Sequence, residues 1–107
     1  MCYYQLSYQH PTMNIKGYEF EGPFTPTAAF NSVGAVYVIT DSTNSPIDVG
    51  QTNDLKSRIP SHERQDCWGR SAQGSISVYA RVESSEQTRL QVENIIRNSF
   101  KFTCGVF

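Results

Sequence analysis

Four side chains could do chemistry together: Tyr37 inside an apolar run, Arg58 and His62 a helical turn apart, and Glu93 within a stretch of helical periodicity. A phenol, a guanidinium, an imidazole and a carboxylate supply proton transfer, a planar fork of donors for anionic oxygens, and a ligand for a hard cation. Each also has an ordinary structural reading. Tyr37 suits a core position, Arg58 a solvated helix face, and His62 the surface beyond a kinked helix. Glu93 can pair along its helix with Arg89 or Arg97 at i±4. Cys67, Cys104, His62 and His10 carry no Cys-x-x-Cys pair, so their spacing gives no zinc signal.

The elements that must position these residues begin at Gly34. Residues 34–40, Gly-Ala-Val-Tyr-Val-Ile-Thr, are β-branched and apolar without a break, the pattern of a central strand covered on both faces. Asp41-Ser-Thr-Asn-Ser-Pro46 is dense in turn formers, and a second short strand follows at Ile47 to Gly50, making an antiparallel hairpin. Thr52 or Asn53 caps a helix through Asp54 to Ile59, where Pro60 ends or kinks it. Residues 63–73 are polar and aperiodic apart from Trp68 and read as a loop pinned by one buried indole. A third strand spans Ser75 to Val82, with Ile76, Val78, Ala80 and Val82 on one buried face. Ser84-Ser-Glu-Gln87 is a capping box, opening a helix to about Ser99 whose Leu90, Val92, Ile95 and Ile96 face the core. Residues 100–107 read as a last extended piece. Residues 1–33 form an N-terminal extension, with a short strand at Tyr18 to Phe20 and with Tyr18, Phe20, Phe24 and Phe30 covering one edge of the core. The expectation is a small α/β domain over residues 34–107, an α+β sandwich with a three-stranded, mainly antiparallel sheet flanked by helices.

Composition narrows the functional classes. A chain of 107 residues holds one core and one site, and its 18% charged and 38% hydrophobic content is that of an ordinary globular domain. The longest strongly apolar stretch, Ala35 to Ile39, falls far short of the roughly 18 residues that cross a bilayer, so neither membrane insertion nor export is expected. Cys2, Cys67 and Cys104 are odd in number and unpaired in spacing. This argues against a disulfide framework and for a reducing, cytoplasmic setting. A net charge of −1 excludes bulk electrostatic capture of nucleic acid, so any such contact is local.

The order of these elements resembles the GIY-YIG nuclease family. Ala35-Val36-Tyr37 stands for its first motif, Asp48-Val49-Gly50 for its second, Asn53-Asp-Leu-Lys-Ser-Arg58 for its arginine helix, and His62 and Glu93 follow in order. Asp48 replaces the second motif's tyrosine, Ala35 the first motif's glycine, and a late asparagine common in the family has no counterpart. The resemblance implies a metal-dependent endonuclease acting on DNA, branched or single-stranded, with Mg2+ or Mn2+. Tyr37 is then the general base, Arg58 binds the scissile phosphate, His62 assists, Asp48 joins the catalytic group, and Glu93 holds the metal; Gly50, Asn53 and Lys56 line the substrate. Relatives commonly carry a separate DNA-binding domain, which implies a homodimer or a partner protein as the source of DNA affinity here. The alternative is an inactive nuclease-like module that binds nucleic acid or a protein partner.

Overall fold

The structure, a computed structural model, describes residues 11–105. Cys2 and His10 lie outside them. Among the described residues five strands form one antiparallel sheet: β1 (Thr12–Ile15), β2 (Tyr18–Phe24), β3 (Ala35–Thr40), β4 (Pro46–Thr52) and β5 (Ser77–Val82). Their order across the sheet is β1-β2-β5-β3-β4. Three helices complete an α+β fold: α1 (Leu55–Arg58), α2 (Gln65–Ser71) and α3 (Glu86–Arg97). No helix among the described residues is long and apolar enough to cross a membrane.

The sheet has five strands against the three expected, the additional two coming from the N-terminal segment; the short strand expected at Tyr18 to Phe20 is the start of β2, and β1 is new. β1 and β2 pair with Ile15 opposite Tyr18, and the two residues between them, Lys16 and Gly17, both have positive φ, 53° and 91°. That is the paired left-handed conformation of a tight hairpin, which usually announces itself as Asn-Gly or Asp-Gly. Lys-Gly does not, so the hairpin was missed. β2 then pairs with β5, which becomes an interior strand.

An interior β5 changes its burial. Val78 and Ala80 face one core cluster with Tyr37, Ile39, Leu55, Ile59 and Trp68, while Tyr79 faces a second with Val36, Val38, Val92 and Ile96. The single buried face expected for this strand is therefore two, and Val82 at its end is exposed. β3, buried at all six positions, is central as its composition requires. Helices α1 and α2 supply the first cluster and α3 the second, so the sheet is a filling between helical layers.

Three local expectations also shift. α1 is a single turn with Asp54 in the N-cap position instead of Thr52 or Asn53, its side chain making no cap hydrogen bond; it ends at Arg58 because Pro60, which has no N–H, cannot extend the ladder past Ile59, although Ile59 itself keeps helical φ and ψ. The expected loop at 63–73 contains α2, whose only buried residue is Trp68; a helix with one apolar anchor leaves no periodic stripe to read. On α3 the cap is Ser85, accepting from the Thr88 amide, and the buried positions are Arg89, Val92 and Ile96, while Leu90 and Ile95 face out. Arg89 is buried because its guanidinium donates to Gln51 Oε1 and to the carbonyls of Glu83 and Ser84.

Among the described residues the tail after α3, up to Gly105, is not a strand; the last two residues of the extended piece expected at 100–107 lie outside them. Phe102 packs under the sheet, and the Cys104 amide donates to the Ile47 carbonyl at 3.0 Å. Cys104 forms a disulfide with Cys67 of α2. Wide spacing in sequence concealed a pair that the fold brings together, and the premise for expecting a reducing compartment is removed.

Candidate active site

The hairpin register builds the centre of the site. Tyr37 pairs with Gly50 and Ile39 with Asp48, which sends the side chains of Tyr37 and Asp48 to the same face of the sheet, under α1 and α2. The Tyr37 ring lies across Gly50: a Cβ at that position would collide with Tyr37 Oη and Cζ. Gly50 is therefore a space requirement of the tyrosine.

His62, just past α1, meets Tyr37 with Nε2 2.5 Å from Oη. Its Nδ1 accepts the Arg64 amide at 3.1 Å. An imidazole accepting at Nδ1 carries its proton, when neutral, on Nε2, so we assign His62 as the donor and Tyr37 Oη as the acceptor. His62 is neutral at physiological pH, because burial, with Arg58 and Arg64 beside it, lowers its pKa to about 4. Tyr37 is only 1% exposed, and burial raises its phenol to about 12 even though Arg58 and Arg64 pull it down. The lowered phenol pKa that a general base requires is thus reversed in the free chain by desolvation.

Arg58 does not stand open. Its Nη1 lies 2.6 Å from Glu63 Oε1 and its Nη2 donates to Oε2 at 3.0 Å, a two-point pair that holds the Glu63 carboxyl down to about 2. Asp48, fully buried, is also committed. Its Oδ2 accepts from Arg64 Nε and from Trp68 Nε1, each at 2.7 Å, and its Oδ1 accepts the Val49 amide at 2.8 Å. The carboxylate in the second motif thus becomes the anchor of Arg64 and of the α2 indole. A buried charge requires this many donors, since unpaired it would cost several kcal/mol.

Glu93 lies apart, on α3, at the edge of the sheet formed by β4. Its Oε2 is 3.5 Å from Arg97 Nη2, and that guanidinium also donates to the Val49 carbonyl and sits 3.9 Å from Asp48 Oδ1. Arg97 is thus the bridge between Glu93 and Asp48. Burial raises the Glu93 pKa, with Arg97 opposing. A cation would relieve that desolvation. Among the described residues no three His, Cys, Asp or Glu side chains converge on a metal position. With Asp48 engaged, the donor set fits an ion that takes one carboxylate and keeps most of its water, as Mg2+ does. Glu93 opens onto a depression of about 520 Å³ lined also by Gln87, Gln91 and Asn94.

The other expected substrate contacts are elsewhere. Asn53 lines a separate polar hollow with Gln51, Glu86 and Arg89, and Lys56 stands exposed on α1. The structure therefore brings Tyr37, Gly50, His62 and Arg58 into one group, links Asp48 to it through Arg64, and keeps Glu93 at its margin. Sequence reading missed Glu63 and Arg64, and it gave Trp68 as a buried indole but not as a donor to Asp48. Their one signal was the density of charge around His62 in Ser-His-Glu-Arg-Gln-Asp, which an aperiodic loop leaves without orientation.

No protein-family model matches this chain, and neither a curated protein nor a solved structure does.

Proposed function

We propose that the chain is a GIY-YIG-type phosphodiesterase that cuts DNA, branched or single-stranded, at the Tyr37 centre. One observation carries the reading: a buried Tyr37 Oη takes a hydrogen bond from His62 over a glycine that leaves it room, with Arg58 beside it. Hydrolysis needs a group to take the proton of the attacking water and positive charge to stabilise the pentavalent phosphorus. The Tyr37 phenol first gives its own proton to solvent; the phenolate, stabilised by Arg58 and by the His62 Nε2–H already aimed at Oη, then takes the proton of the attacking water and returns to phenol. Arg58 leaves Glu63 to bind the phosphate oxygens. Glu93 would hold Mg2+ or Mn2+, and such an ion would supply charge neutralisation and leaving-group assistance. The net charge of −1 supports a partner protein or a homodimer as the source of DNA affinity.

A second reading, a nuclease-like module that binds nucleic acid or a protein without cutting, is favoured by the Tyr37 pKa of about 12, which keeps the phenol protonated. Incubation with supercoiled plasmid, branched DNA and single strands in Mg2+ or Mn2+, with Arg58→Ala and Glu93→Ala in parallel, separates the two. Cleavage lost in both variants supports the hydrolase. A folded parent inert on every substrate supports the module.

A further inference from the structure

The carboxylate of Glu63 occupies a position between two guanidiniums. Arg58 grips both of its oxygens, at 2.6 and 3.0 Å, and Arg64 Nη1 approaches Oε2 at 3.5 Å from the other side. Arg64 is not free to wander. Its Nε is tied to Asp48 Oδ2, while its Nη1 faces the Glu63 carboxylate. Asp48 is itself fixed by Trp68 and the Val49 amide. Gly105 makes the space: a Cβ there would lie 2.7 Å from Asp48 Oδ1 and 3.0 Å from Arg64 Nε. A buried acid that orients one arginine beside another, over the Tyr37–His62 pair, is a large investment of structure for a surface ion pair worth little by itself.

We propose that Arg58 and Arg64 form a two-guanidinium seat for the non-bridging oxygens of a phosphodiester, and that Glu63 occupies this seat in the free chain as a displaceable internal anion. The proposal rests on the phosphodiester reading of the site and adds to it a second phosphate contact, Arg64, a positioning residue, Asp48, and a built-in competitor. A carboxylate and a phosphodiester each present two oxygens to planar forks. The competitor is the most exposed member: Glu63's side chain is 59% exposed against 20% for Arg64 and none for Asp48.

The test is fluorescence anisotropy with a fluorescein-labelled single-stranded oligonucleotide at low salt in EDTA, where binding is read without cleavage. Glu63→Gln binds about threefold or more tighter than the parent. Glu86→Gln, which removes the same charge at an exposed position of α3, changes affinity less. Arg64→Ala binds about tenfold weaker, the scale of a lost charge-assisted contact. Asp48→Asn weakens binding when Arg64 is present and not in the Arg64→Ala background, a coupling that general loosening of the fold would not give. Melting curves establish which variants fold; Glu63 is exposed, so its variant decides the matter even if Arg64→Ala unfolds. Unchanged or weaker binding by Glu63→Gln overturns the proposal, and so does Arg64→Ala binding at parental strength. Tighter binding by Glu63→Gln without cleavage by any form keeps the seat and removes the hydrolase; cleavage by the parent without that tightening does the reverse.

Discussion

Replacing His62 by Gln should flatten the dependence of stability on pH between about pH 4 and 6.5. His62 is neutral and buried in the fold, with a pKa of about 4 against 6.5 when exposed. Between these values the unfolded chain binds a proton at this residue that the folded chain refuses, so stability falls as pH is lowered through the window. The groups facing it set the direction: burial and the Arg58 and Arg64 guanidiniums disfavour imidazolium, outweighing Glu63 and Asp48. At about 1.36 kcal/mol per pH unit, the loss attributable to His62 is about 2 kcal/mol by pH 5 and approaches about 3 kcal/mol near pH 4. Gln keeps a donor for Tyr37 Oη and does not titrate. Urea unfolding followed by circular dichroism, repeated at half-unit pH steps from 4 to 8, gives both curves. The parent curve should fall by the stated amount relative to the variant; the stability lost by the depressed carboxyls of Glu63 and Asp41 as pH drops below their ordinary values of 4.5 and 3.8 is shared by both curves. Parallel curves would refute the buried, neutral imidazole and with it the assigned direction of the Tyr37–His62 hydrogen bond.

Three further outcomes follow from the packing around the site. Gly50→Ala should cost about 1–3 kcal/mol in thermal or urea unfolding, since its methyl would occupy the place of the Tyr37 hydroxyl; a neutral effect would mean that Tyr37 does not lie over β4. Trp68→Phe should cost about 2 kcal/mol or more, because it removes an N–H from a buried carboxylate while leaving most of the ring volume; urea midpoints read by circular dichroism check it, the chain's only tryptophan being the one replaced. Opening the Cys67–Cys104 bridge, which closes a separation of 37 residues, should cost up to about 4 kcal/mol, seen as a lower melting temperature of Cys104→Ser.

What sequence could convey divides along physical lines. The β3–β4 hairpin was legible because its apolar run and its turn formers are local signals, and Asp41 does hold the turn through the Thr43 and Ser45 amides. Once that hairpin exists, the Tyr37–Gly50 pairing follows from register. The β1–β2 hairpin was not legible, since a lysine in a left-handed turn leaves no compositional mark. α2 was hidden for a related reason: Trp68 alone anchors it, and the partner of that indole, Asp48, is 20 residues away. Asp48 could be noticed as a departure from the second motif, but its role as the anchor of Arg64 exists only in three dimensions. The helix stripe on α3 failed where burial went to Arg89, whose hydrogen bonds to loop carbonyls compensate a cost that hydropathy alone counts against it.

The most direct measurement of the central claim is cleavage by Tyr37→Phe under single-turnover conditions in Mg2+ or Mn2+, beside the parent, with melting temperatures recorded for both. The phenolic oxygen is the acceptor of the His62 bond and, once deprotonated, the proposed proton acceptor for water, so its removal should lower the cleavage rate about 100-fold or more while the domain remains folded. A variant that melts as a folded protein and cuts at the parental rate would contradict the account.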